Sequence, residues 1–147
     1  MKQGSTVIDR HGAVVGLDLS DKRGTFVVLD WRGQVVTEGE VMMSRGGLQR
    51  CFGSRRYRIA IEAGTHSPWV SRELTRMGHE VIVADPRQVP YIYRNQRKND
   101  RLDAFGLAKL ARLDPELLSP IVHRSEQAQA HLASCARVTS LWPSGPA

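Results

Sequence analysis

Cysteine is scarce in this chain. Only Cys51 and Cys135 occur in 147 residues, with no CxxC spacing, and the five histidines (His11, His66, His79, His123, His131) form no zinc pattern beside them. A disulfide-stapled scaffold and a structural zinc module are thereby excluded, and a reducing, cytoplasmic setting is expected. No apolar run is long enough to span a bilayer, and the opening MKQGSTVIDRHG lacks the apolar core of a signal peptide. Acidic residues are missing altogether from residue 41 to residue 61, a stretch that holds Arg45, Arg50, Arg55, Arg56 and Arg58.

What is present suits one compact unit. A hydrophobic content of 41% in 147 residues supplies a single core. The formal charge of +6 favours polyanionic partners, although charge alone is a weak guide. A second basic zone, Arg87, Arg94, Arg97, Lys98, Arg101, Lys109 and Arg112, also contains Asp100 and Asp103.

The order of elements is readable from pattern. AVVGLDLS, GTFVVLD and QVVTEGEVMM read as three strands joined by short polar turns, hence an antiparallel meander. SRGGLQRCFG is rich in glycine and has room for one short helix. YRIAIEAG is a fourth strand. Ser67 as cap and Pro68 at the first helical position predict a helix running to Met77, ended by Gly78. HEVIVAD is a fifth strand, and PRQVPYIY a short helical stretch limited by Pro90, before the basic loop RNQRKN. DRLDAFGLAKLARL is the clearest helix, with Leu102, Phe105, Leu107, Leu110 and Leu113 approximating an apolar stripe and Ala104, Ala108 and Ala111 suited to close packing. SEQAQAHLASCARV is expected to form a further helix, and LWPSGPA a disordered end.

Four acids stand out. Glu62 closes a strand whose Ile59 and Ile61 face a core, where an ionised carboxylate needs solvent, a partner or a cation. Asp100 and Asp103, three apart, lie on one face of a first helical turn. Each acid has an ordinary explanation: Asp18 as a turn cap, Glu62 as a solvated strand end, the helical pair as complements to the macrodipole. Their joint placement carries more weight. Five strands mixed with helices in this order resemble the ribonuclease H-like fold, an α/β fold with a mixed five-stranded sheet flanked by helices. In that fold, acids on the first strand, the end of the fourth and the last helix are catalytic; here those places hold Asp18, Glu62, Asp100 and Asp103. Such a carboxylate set suits hard divalent cations, and two Mg²⁺ about 3.5–4 Å apart serve phosphodiester chemistry.

The segments VVGLDLS, RIAIEAGTHSPW and KNDRLDAFGLAKLARL resemble the three blocks of the DEDD transposases of the insertion sequence 110 family, from about Ala13 to the His123 region. The resemblance implies a RuvC-like domain in which Asp18, Glu62, Asp100 and Asp103 bind Mg²⁺, with Mn²⁺ as a substitute. It also implies DNA as substrate, a structured non-coding bridge RNA as guide, and a homo-oligomer. Lys98 with Arg94, Arg97 and Arg101 would then face phosphate.

Departures from the family are equally definite. Its full-length members continue into a long helical region and a second domain bearing a nucleophilic serine, so a truncated or frameshifted copy is expected here. Ser20 and Ser67 are not assigned that role. The expected division is a flexible lead over residues 1–12, a catalytic domain over 13–123, and a further helix and disordered tail over 124–147. Two alternatives use the same fold: a non-catalytic nucleic-acid-binding remnant, and a RuvC-like junction nuclease. A sugar kinase or actin-like ATPase half also begins with a strand like VVGLDLS, but no glycine-rich phosphate loop follows it and the Asp-x-x-Asp helix is left unexplained.

Overall fold

The computed structural model describes residues 12–88 and 99–123. Six strands form one sheet in the order β3-β2-β1-β4-β5-β6. They are β1 (Val14–Asp18), β2 (Arg23–Leu29), β3 (Val35–Met42), β4 (Arg58–Glu62), β5 (Glu80–Ala84) and β6 (Pro120–Ile121). The first three make the antiparallel meander read from the sequence, whereas β4 and β5 run parallel to β1. Among the described residues, three α-helices accompany them, α1 (Arg45–Phe52), α2 (Ser67–Arg76) and α3 (Asp100–Leu113), with a 3-10 turn over Pro115–Leu118. This is the expected ribonuclease H-like arrangement with one strand more than the five foreseen. β6 pairs antiparallel with β5 through Val83 and Ala84 only, too short a run to give any alternation in sequence.

β1 lies mid-sheet and is covered on both faces, which explains its unbroken apolar run. Val15 and Leu17 point into a core with Ile59 and Ile61 of β4, Leu48 and Phe52 of α1, and Val70 and Leu74 of α2. The opposite face belongs to α3. There Val14, Ala60, Ile82 and Ala84 pack on Leu107, Leu110 and Ala111, and Val27 and Leu29 of β2 pack on Ala104 and Ala108. The alanines expected to allow close packing do sit against the sheet. At Gly16 the approach is closest: a Cβ there would lie 1.8 Å from the Ala104 carbonyl oxygen and 2.7 Å from the Ala108 nitrogen. Both atoms are helix backbone and cannot step aside. Arg58 fastens the far end of α3, donating from Nη1 to the Ala111 carbonyl (3.3 Å) and from Nε to Glu80 (2.9 Å).

At the start of α2 the structure departs from the expected cap. Ser67 is not the cap of α2 but its first residue; the cap position falls on His66, which makes no side-chain capping bond. The Ser67 hydroxyl instead accepts from the Gly64 amide and donates to the Gly64 carbonyl, both at 2.9 Å, tightening the loop between β4 and α2. The glycine-rich SRGGLQRCFG stretch does form a helix, because Ser44 accepts from the Gly47 amide and Leu48 and Phe52 are buried. Gly78 ends the α2 turn at φ 96°, as its position predicted. Of PRQVPYIY, residues 86–88 form a turn; residues 89–98, the lead up to residue 11 and everything from residue 124, including the helix expected there, lie outside the described residues.

His79, 5% exposed, accepts the Tyr57 amide at Nδ1 (3.2 Å) and packs against Phe52 and Tyr57. Burial pushes its pKa down, and the charge of Arg56 adds to the effect. A folded-state pKa below the unfolded value means stability that is complete above about pH 6.5 and lost as pH falls through the folded pKa. Thermal melts are therefore expected to hold steady above neutrality and fall below it, with a shallower fall in His79→Asn, whose amide oxygen keeps the acceptor. Gly16→Ala is expected to lower stability in urea melts by about 1–3 kcal/mol or more, the range for overpacking.

Candidate functional site

Strand pairing brings the first two acids together. β1 and β4 are parallel with Leu17 opposite Ile61, so Asp18 and Glu62 end neighbouring strands on adjacent positions. Side chains alternate along a strand, and since Leu17 and Ile61 enter the α1/α2 core, Asp18 and Glu62 project on the side of α3. α3 runs antiparallel to β1 across that side: Ala111 lies near Arg58, Ala104 lies over Gly16, and the first turn arrives beside Asp18.

That first turn is fixed by Asn99. Its side-chain oxygen accepts the amides of Arg101 (3.0 Å) and Leu102 (3.4 Å), and its carbonyl accepts the Asp103 amide (2.9 Å). Carboxylate oxygens of Asp18, Asp100 and Asp103 consequently all lie within 4.8 Å of one another. Like charges so close repel by roughly a few kcal/mol per pair at an effective dielectric near 20, a cost that a cation or positive dipole must offset. The N-terminus of α3 supplies part of that offset.

Glu62 stands apart from the trio but shares its cleft. A depression of about 360 Å³ is lined by Asp18, Glu62 and Asp103 together with Ser20, Asp21 and His66. Glu62 is exposed there, so its strand-end carboxylate is solvated rather than buried. Across the cleft, His66 Nε2 lies 2.9 Å from Asp21 Oδ1, joining the β1–β2 turn to the start of α2. Neither residue was singled out from the sequence. Asp21 reads as a turn residue and His66 as a helix flank, and only the fold puts them on opposite lips of one cleft.

The basic residues expected to face phosphate divide differently. Arg94, Arg97 and Lys98 lie outside the described residues. Arg101 is described, and its guanidinium is engaged by Glu38 of β3, with Nε and Nη2 each 2.8 Å from Oε2. The hydrogen bond that Arg101 donates to Glu38 raises the Arg101 pKa further. The pair ties the first turn of α3 to the edge of the sheet.

A family model described as a transposase, that of the insertion sequence 110 DEDD group, matches residues 15–140. The chain belongs to this DEDD transposase family. A curated relative named as transposase y4qE, from Sinorhizobium fredii, is 30% identical over 116 residues, spanning 74% of this chain and 30% of the relative. The chain thus covers under a third of that relative's length. Among solved structures, Thermus thermophilus RuvC is similar with a TM-score of 0.45 and 14% identity, over 69% of this chain and 96% of the RuvC chain. No helix among the described residues of this DEDD family member is long and apolar enough to cross a membrane.

Asn99→Ala should cost about 1 kcal/mol of stability through loss of the α3 cap, with Asn99→Ser close to wild type, as read by urea denaturation.

Proposed function

We propose that residues 13–123 form the catalytic unit of a DEDD transposase, carrying out divalent-metal-dependent phosphodiester chemistry on DNA, with Asp18, Glu62, Asp100 and Asp103 as metal ligands. The supporting observation is the convergence of acids from β1 and α3 on a cleft that Glu62 also lines. The donor set fits a hard cation. It consists of carboxylate oxygens alone, without cysteine, and it opens to water, which Mg²⁺ retains in part when bound. A bound Mg²⁺ or Mn²⁺ would supply charge stabilisation at the phosphate and lower the pKa of an attacking oxygen.

The chain's own residues have definable tasks. Asp18, Asp100 and Asp103 would make the negative focus that holds a cation, and without one such a focus repels a DNA phosphate. Glu62, on the neighbouring strand end, reaches the same cleft from the other side of Asp18. Asn99 and Gly16 keep the helical acids in place. In the whole protein, the reading extends to transfer of an element into target DNA with a guide RNA, an oligomer, and a serine supplied by a further domain.

The test is direct. Calorimetric titration of the chain with Mg²⁺ or Mn²⁺ should show binding, weakened by at least about tenfold in Asp103→Ala, given that even outer-shell changes cost 10–100-fold at metal sites. Unchanged affinity would remove the site. Metal-dependent cleavage of branched DNA, abolished in Asp18→Asn, would distinguish a junction nuclease or active transposase domain from a binding remnant.

A further inference from the structure

The acid-free stretch between Glu40 and Glu62 contributes no residue to the cleft. Two of its five arginines are occupied elsewhere. Arg58 is bound to Glu80 and the Ala111 carbonyl. Arg45 lies 3.8 Å from Glu73, a carboxylate already paired with Arg76. The remaining three, Arg50 on α1 and Arg55 and Arg56 in the loop leading to β4, are exposed, and no carboxylate lies within ion-pair distance of them among the described residues. By contrast, Arg23, Arg76, Arg87 and Arg101 each hold a carboxylate.

We propose that Arg50, Arg55 and Arg56 form a second nucleic-acid surface, gripping the phosphodiester backbone at the end of the sheet opposite the acidic cleft. Its location follows from strand direction. The loop enters β4 at Arg58, and Glu62 closes β4 four residues later, about 13 Å away at 3.3 Å per residue. The loop tip is built for close approach: Gly53, Ser54, Arg55 and Arg56 are all exposed, and the first two add little bulk. Arg55 is steadied with its guanidinium 5.5 Å from the centre of the Tyr57 ring, which limits its freedom without consuming its charge. Arg56 is close enough to buried His79 to help lower that residue's pKa, as expected for an unneutralised cation.

Three arginines with no carboxylate partner among the described residues, spread over a helix end and a loop, suit a repeating polyanion. Each contact with a phosphate releases a counterion, and guanidinium groups pair with phosphate through two parallel hydrogen bonds. The two surfaces lie at opposite strand ends, about 13 Å apart, so one nucleic-acid segment spans both or two segments bind.

The experiment is fluorescence anisotropy of labelled duplex DNA and, in a parallel arm, duplex RNA, at salt concentrations between about 50 and 200 mM. Compared are wild type, the triple variant Arg50→Gln/Arg55→Gln/Arg56→Gln, the matching triple lysine variant, and Asp103→Asn. The glutamine variant is expected to bind about tenfold more weakly at low salt, with the log–log salt slope reduced by about 2–3 units, as loss of three phosphate contacts requires. The lysine variant should keep the slope. The two arms identify which duplex the surface holds. Both triple variants should melt like wild type and titrate Mg²⁺ like wild type, whereas Asp103→Asn should lose the metal and keep the salt slope, so that this surface and the acidic site are judged separately. An unchanged slope in the glutamine variant, or no binding to either duplex by wild type, overturns the proposal.

Discussion

The contact between α3 and β1 at Gly16 governs the arrangement of the whole molecule. A side chain at that position would enter the helix backbone, so the helix can lie this close only because the strand presents none. Alanines on the helix, Ala104, Ala108 and Ala111, and Ala60 and Ala84 on the sheet continue the same economy of volume. The result is a helix whose first turn sits at the level of the β1 terminus. The acids of α3 are held near Asp18 by packing remote from them, since repulsion among carboxylates would otherwise drive the turn outward.

Charge is segregated on this scaffold. A chain of formal charge +6 nevertheless concentrates its carboxylates at the C-terminal ends of β1 and β4, where Asp18, Glu62 and Asp103 share a cleft. Among the described residues, one cation of that end is drawn away from it. Arg101, although it sits between Asp100 and Asp103 in sequence, turns to Glu38 on the opposite side of the turn. The carboxylates of the cleft thus share one small molecule with a basic surface, a combination suited to holding small cations close to a large anion.

Much of this was readable beforehand, for physical reasons. β1 and α3 were legible because burial on two faces and on one stripe leaves strong, different periodicities. The bounds of α3, Asp100–Leu113, coincide with the expected ones because Asn99 and Asp114 are both committed to backbone bonds. Less legible were features decided by tertiary contact. α1 has two glycines in its first turn, and its stability comes from Leu48 and Phe52 entering the core, which composition does not reveal. β6 owes its existence to the exposed edge of β5. Ser67 and Pro68 did announce a helix, but the loop bond to Gly64 shifted the cap by one residue. For the site, acid identities could be read, whereas the pairing of Asp21 with His66 could not, because 45 residues separate them.

Asp18 and Glu62 occupy matching rungs of two parallel strands, and this makes strand length as constraining as side-chain identity. Removing one residue ahead of Leu17 in β1 would rotate everything after it by half a pleat, turning the Asp18 carboxylate into the apolar layer beneath α1 and α2 and Leu17 against the backbone of α3. The sheet thus tolerates changes of residue at many points but insertions or deletions at very few. Parity, the odd or even count of residues between turn and acid, is part of what the cleft inherits from the backbone.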